Sequence, residues 1–221
     1  MIPSPVRASG MGRSAVEVEL VIVVIGSLKG GAGKTTTALH LAAVAAGEGA
    51  RVVVVDADPE GSARRWAAHA GGDLGFEVRA GDRDRLARDA RALAEGGAVV
   101  VVDCAPNDRD ALARVASVAS VVVVPCLPSG MDVDRLKPSL EVLAEVEAGK
   151  GTALPVGVLL TRWDARRRLS REAADTLAAV GWPTFDTRIG DRVAYAHAFG
   201  SAPVHLDEYR ALWAELREVA R

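Results

Sequence analysis

LVIVVIGSLKGGAGKTTT, from Leu20 to Thr37, decides the fold of this chain. Six apolar residues rich in β-branched side chains, Leu20 to Ile25, read as a buried strand. Gly26, Gly30, Gly31 and Gly33 then form a loop, and Lys34-Thr35 opens an Ala/Leu-rich helix. A strand, a glycine loop and a helix in that order make a phosphate cradle. Glycines let backbone N–H groups turn inward, the helix start adds partial positive charge, Lys34 offsets phosphate charge and Thr35 offers a hydroxyl to Mg²⁺. The expected ligand is a nucleoside triphosphate. The ordinary G-x-x-x-x-G-K-[ST] pattern fails only at its first glycine, where Leu28 stands.

Outward from this loop, strands and helices alternate. Thr36 to Glu48 reads as a helix ending at Gly47 and Gly49, and Arg51 to Asp56 as a strand too apolar to alternate. Ala98 to Asp103, Val121 to Pro125 and Pro155 to Thr161 repeat that strand pattern, and Phe76 to Arg79 reads as an edge strand. Short helices are expected at Ser62 to Ala70 and Ala111 to Ala119, and a long one at Val133 to Glu147. Asp82 to Glu95 alternates acids with arginines and reads as a solvated helix face. Pro183 to Arg192 is expected to give a last strand and its loop, followed by a helix at Val193 to Phe199. Leu206, Tyr209, Leu212, Trp213, Leu216 and Val219 form a helical core stripe near the C-terminus. The fold class is α/β: a doubly wound, mostly parallel sheet with helices on both faces.

The composition narrows the class. At 221 residues, 49% hydrophobic and 25% charged, the chain is that of a soluble globular protein, read as a loose tail over 1–19 and one domain over 20–221. Met11 is an alternative initiator, no secretory signal is expected, and no apolar run approaches the ~18 residues of a membrane span. A formal net charge of −2 requires any nucleic-acid binding to come from a local patch. Cys104 and Cys126 lack CxxC spacing and are expected reduced and buried, in a cytoplasmic protein.

Three acidic residues close the strands that should flank the loop. Carboxyl ends of parallel strands share one crevice, so Asp56 and Asp58, in Asp56-Ala57-Asp58-Pro59-Glu60-Gly61-Ser62, are expected to face the terminal phosphate; an ordinary Asp-Pro turn is the other reading. Asp103, ending a third buried strand, is expected to accept from a metal-bound water near Thr35. Between Arg162 and Arg171, the arginines Arg162, Arg166, Arg167, Arg168 and Arg171 face one acid, Asp164, for a local charge of +4. That run reads either as a phosphate-binding patch or as a solvated helix start.

Lys29 ahead of the glycines completes Lys29-Gly30-Gly31-Ala32-Gly33-Lys34-Thr35-Thr36, which resembles the deviant Walker A box, KGGxGK[ST][ST], of the ParA/MinD family of ATPases. The resemblance implies ATP and Mg²⁺ as ligands and a nucleotide-sandwich homodimer in which Lys29 reaches the partner's phosphates; a solvated loop charge is the other reading of Lys29. The segment from Asp56 resembles the family's A′ box, DxDPQGS, with Glu60 in place of glutamine. By that resemblance Asp58 positions the attacking water and Asp56 holds the metal through water. Cys104-Ala105-Pro106-Asn107 resembles its DxPP turn, with asparagine for the second proline. Pro128 to Asp132 and the helix after it match a segment at the dimer interface.

Thr161 and Arg162 are candidate base contacts, with a structural role equally open, and Arg188 and Ile189 lie in the segment that borders the base. Arg192 joins Arg166, Arg167, Arg168 and Arg171 as candidate DNA contacts. Small ParA-type partition ATPases match best. They imply non-specific DNA binding on the nucleoid, stimulation by a ParB-like partner, and segregation of plasmid or chromosomal DNA or positioning of a protein cargo. A MinD-like membrane-associated division-site regulator is the alternative, opposed by a C-terminal helix with four acids and three bases from Asp207 to Arg221. A nitrogenase-iron-protein-like redox role, drawing on the two cysteines, and a metabolic ligase on the same fold are further rivals.

Overall fold

The computed structural model describes residues 21–220. The loose tail, the alternative start at Met11 and Leu20 lie outside these residues. Among the described residues six strands form one parallel sheet: β1 (Ile22–Ile25), β2 (Val52–Asp56), β3 (Glu77–Ala80), β4 (Val99–Asp103), β5 (Val121–Cys126) and β6 (Val156–Leu160). Their order is β3-β2-β4-β1-β5-β6, so β1 and its glycine loop lie inside the sheet and β3 is an edge, as its sequence implied.

Alternate side chains along each strand enter opposite cores. Ile22, Val24, Val53, Val55, Val100, Val102, Val122 and Val124 pack on one face beneath α3 (Leu86–Glu95), α4 (Arg109–Ala116), α6 (Lys137–Lys150) and α7 (Arg168–Ala179). Val23, Ile25, Val52, Val54, Val99, Val101, Val121 and Val123 pack on the other beneath α1 (Lys34–Gly47), α2 (Ser62–His69) and α9 (Asp207–Val219). Burial on both faces is why these strands are unbroken valine runs. The register sets Asp56 of β2 and Ile25 of β1 beside Asp103 of β4, bringing three strand ends to one edge.

Two expected elements differ. The long helix at Val133 to Glu147 is two helices, α5 (Gly130–Asp134) and α6, with Pro138 in the first turn of α6. An unbroken helix would need a backbone N–H at 138 to meet the carbonyl of Asp134, and proline has none. The last strand at Pro183 to Arg192 is only two isolated bridges, Val158 with Thr184 and Trp163 with Gly190. The backbone N–H groups of Asp186 and Thr187 donate to the Glu215 carboxylate instead (2.8 and 3.1 Å), which interrupts the ladder between Phe185 and Ile189. The helix expected at Val193 to Phe199 is present as α8 (Val193–His197).

Tyr209, Leu212, Trp213 and Leu216 are buried on α9, so that stripe is core packing, while Val219 is exposed. Between α1, α2 and α9 lies His40, 1% exposed, with its ring 4.7 Å from Tyr209, 5.2 Å from Tyr195 and 6.1 Å from Trp66. Its Nδ1 donates to the Thr36 carbonyl (2.7 Å). Burial lowers its pKa to about 4, against the smaller opposing effect of the Thr36 bond. The unfolded chain takes up this proton near pH 6.5 and the folded chain only near 4. His40's contribution to stability is therefore complete above pH 6.5 and falls as pH drops towards 4, by up to about 3 kcal/mol. In urea titrations at pH 7.5 and pH 5, wild type is expected to lose about 2 kcal/mol more than His40→Phe. Equal losses would contradict the assignment.

Candidate nucleotide site

The loop between β1 and α1 is set by two left-handed glycines, Gly31 (φ 77°) and Gly33 (φ 89°), the second immediately before α1. A side chain at either position would strain that turn. Neighbouring segments brace the loop: the Ser139 hydroxyl accepts from Leu28 N–H (3.0 Å), Leu28 O accepts from Asn107 N–H (3.0 Å), and Thr161 Oγ1 donates to Ala32 O (3.0 Å). Asn107 takes φ 56°, which proline cannot adopt, and its N–H is the one that reaches Leu28. Counted from Asp103, the D-x-P-P spacing falls on Asp103 to Pro106, so Ala105 stands for the first proline, Pro106 keeps the second, and Asn107 after them adds one more tie to the loop.

The two lysines point to different neighbours. Lys34, 7% exposed, lays Nζ on the Lys29 carbonyl (2.9 Å) across the loop, and burial lowers its pKa against the pull of Asp103. Lys29 turns away to form an ion pair with Asp132 of α5. Asp132 also accepts from the hydroxyl of Ser129, the residue that caps α5. This partner was not foreseen, although Ser129-x-x-Asp132 is a helix-start signature legible in sequence.

Asp103, 1% exposed, accepts from Thr35 Oγ1 at Oδ2 (2.7 Å). Its Oδ1 is buried and has no hydrogen-bond partner among the described residues. Burial, with Asp56 adding to it and the Thr35 bond opposing, raises this carboxyl to about 7. An unpartnered buried carboxylate oxygen beside a hydroxyl at a helix start is an oxygen-donor set that fits a hard divalent cation. Asp56 is buried at the end of β2, accepting from Asp58 N–H at Oδ1 (3.1 Å) and from Arg64 N–H at Oδ2 (2.9 Å). Asp58 is half-buried, its carboxylate accepting from Glu60 N–H (2.9 Å).

The base-side candidates divide. Thr161 is buried with its hydroxyl shared between Ala32 O and Cys126 O, and Ile189 is buried in the core with N–H on Leu160 O and its carbonyl accepting from Trp163 N–H. Arg162 is exposed and left-handed (φ 50°), and Arg188 is exposed with its guanidinium 4.1 Å above the Trp163 ring. These two are exposed to solvent, while Thr161 and Ile189 are buried and bonded to neighbouring backbone.

The arginine run is less bare than its sequence. Arg166 and Arg167 pair with Asp164, Arg167 also with Asp191, Arg168 with Glu172 and Arg192 with Glu208, while Arg171 donates to Ala165 O. Asp191 and Glu172 lie outside the stretch from Arg162 to Arg171, so its local +4 count overstates the free charge. The Arg166 guanidinium holds the Asp164 carboxyl down to about 2. Cys104 and Cys126 are both 2% exposed, and burial raises both thiols, Cys126 to about 12. Neither presents the exposed thiolate that a shared metal cluster requires.

Residues 23–203 match the CobQ/CobB/MinD/ParA nucleotide binding domain. The chain is 40% identical over 194 residues to the maintenance of carboxysome distribution protein A of Gloeobacter kilaueensis, spanning 85% of this chain and 84% of that protein. It is 30% identical to the chromosome-partitioning ATPase Soj of Thermus thermophilus over 80% of this chain and 85% of that one. The apo structure of Cyanothece McdA superposes with a TM-score of 0.73 at 19% identity, covering 91% of this chain and 99% of that one. The chain belongs to the CobQ/CobB/MinD/ParA family of nucleotide-binding proteins.

Proposed function

We infer that this protein is a positioning ATPase whose ATP-bound form is a homodimer that holds DNA without sequence preference and carries a cargo along it. The chain is an ATPase of the ParA type, with ATP and Mg²⁺ as its ligands. The triphosphate lies in the loop of Lys29 to Thr36, with Lys34 and the N–H groups of Gly30, Gly31, Ala32 and Gly33 on its oxygens. Thr35 and Asp103 hold Mg²⁺, with Asp56 behind them. Bound Mg²⁺ neutralises phosphate charge as it develops in the transition state. Asp58 orients the water that attacks the γ-phosphorus as the bond to the β-phosphate oxygen breaks, giving ADP and phosphate. Arg162 and Arg188 border the base.

The observation that carries the dimer is the divergence of the two lysines. Lys34 serves its own loop, while the Lys29 side chain leaves that loop to pair with the buried Asp132 of α5. A cation so placed is available to the phosphates of a second copy, and reaching them exchanges one carboxylate partner for a polyphosphate. The same reading predicts slow turnover in isolation: completing the site takes a partner, and a ParB-like or adaptor protein then stimulates hydrolysis.

For cargo, identity to the carboxysome distribution protein exceeds that to Soj, which supports a protein assembly over a chromosome. A membrane-bound, MinD-like role has less support, because the apolar stripe of α9 is already used against the core. The nucleoid is then the track and the cytoplasm the compartment.

Lys29→Ala is expected to keep ATP affinity within about threefold of wild type and to lose the ATP dimer in light scattering, whereas Lys34→Ala should weaken ATP binding by about 100-fold or more. A Lys29→Ala protein that still dimerises with ATP would contradict the trans role. DNA anisotropy titrations should show binding only with ATP, weakened as salt rises and lost in Arg167→Glu/Arg168→Glu. Because these arginines already carry carboxylate partners, binding by one chain is weak and the dimer's paired patches are required. Binding that ignores ATP or salt, or survives the charge reversal, would remove the patch from the account.

A further inference from the structure

The segment after β2 closes on a single carboxylate. Asp56 gives Oδ1 to Asp58 N–H (3.1 Å) and Oδ2 to Arg64 N–H (2.9 Å), and Arg64 Nε lies 3.4 Å from the same Oδ2. Further bonds stiffen the turn between them: Gly61 N–H donates to Asp58 O (2.8 Å) and Glu60 N–H to the Asp58 carboxylate (2.9 Å). The Arg64 side chain folds back over Gly61, where an added Cβ would lie 2.7 Å from its Nη2. Asp56 stands beside Asp103 in the sheet register, so two buried carboxylates are neighbours and each raises the cost of the other's charge. Backbone amides bring only partial charge to Asp56. Arg64 brings a full one, from a side chain that is itself 43% exposed and therefore inexpensive to keep charged.

We propose that Arg64 is a positioning residue for ATP hydrolysis, holding Asp58 in place through Asp56. The proposal rests on the reading of Asp58 as the residue that orients the attacking water. Arg64 acts two steps removed from the reaction: its guanidinium anchors Oδ2 of Asp56, which keeps Oδ1 aimed at the N–H of Asp58. Without that anchor Asp56 keeps only backbone amide partners, and its hold on the Asp58 N–H loosens. The bracing contacts of the phosphate loop, from Ser139, Asn107 and Thr161, do not involve Arg64 and stay intact. Turnover therefore suffers while ATP binding does not. The contact is a single Nε approach rather than a two-pronged fork, so a lysine ammonium is expected to replace much of it.

The test measures steady-state phosphate release and ATP affinity for wild type, Arg64→Ala, Arg64→Lys and Asp58→Ala, with melting temperatures alongside. Arg64→Ala should lower kcat by about tenfold or more with KM for ATP within about twofold, and Arg64→Lys should recover most of the loss. Asp58→Ala should bind ATP and scarcely turn over. Wild-type turnover in Arg64→Ala alongside an inactive Asp58→Ala would overturn the role of Arg64 alone. A loss confined to KM, or one that lysine fails to rescue and that follows a fall in melting temperature, would overturn it as well. Normal turnover in Asp58→Ala would overturn the reading of Asp58 and the role of Arg64 with it.

Discussion

A carboxylate buried at the end of a central strand is costly unless something positive meets it. Asp103 has the Thr35 hydroxyl on one oxygen and, among the described residues, no hydrogen-bond partner on the other. The rest of the site is arranged around that deficit. Lys34 is held close enough for Asp103 to oppose the lowering of its pKa, and a parallel register sets Asp56 alongside. A divalent cation brought in with a triphosphate would supply the missing charge, so ligand binding would complete the site as well as fill it. The surrounding sheet can bear this arrangement because its strands are buried on both faces and carry the stability elsewhere.

The second organising feature is the division of labour between two lysines five residues apart. Lys34 is bonded to a carbonyl of its own loop, and Lys29 is paired with Asp132 of α5. A single chain has use for one of them at its own phosphates. In the proposed dimer Lys29 would exchange Asp132 for the phosphates of a second copy, and that one ion pair would link nucleotide state to assembly. Such assembly would gather arginine patches that are individually weakened by Asp164, Asp191, Glu172 and Glu208.

Much of this was legible in the sequence where one local cause dominates. Valine runs such as Val52–Asp56 and Val99–Asp103 have no rival reading once two-faced burial is allowed, and glycines with lysines after a strand specify a phosphate loop. Pro138 carried the break between α5 and α6, but helical periodicity across it hid the signal. What stayed hidden depends on residues distant in sequence. Glu215 takes the backbone N–H groups that a last strand would need, Glu208 and Asp191 neutralise arginines that appear free, and Ile189 is drawn into the core from a segment expected to border the base. Asn107 lies between these cases: asparagine is a residue type that tolerates a left-handed turn, but that turn and the bond to Leu28 needed coordinates.

If one chain holds an incomplete ATPase site and a second copy completes it, hydrolysis depends on protein concentration. The direct measurement is the rate of ATP hydrolysis per chain across a wide range of protein concentration, at saturating ATP and Mg²⁺ without partner or DNA. A shared site predicts a specific rate that climbs with concentration and levels off once the dimer is formed. A specific rate that stays constant down to the most dilute sample would mean that each chain works alone, and would contradict the account.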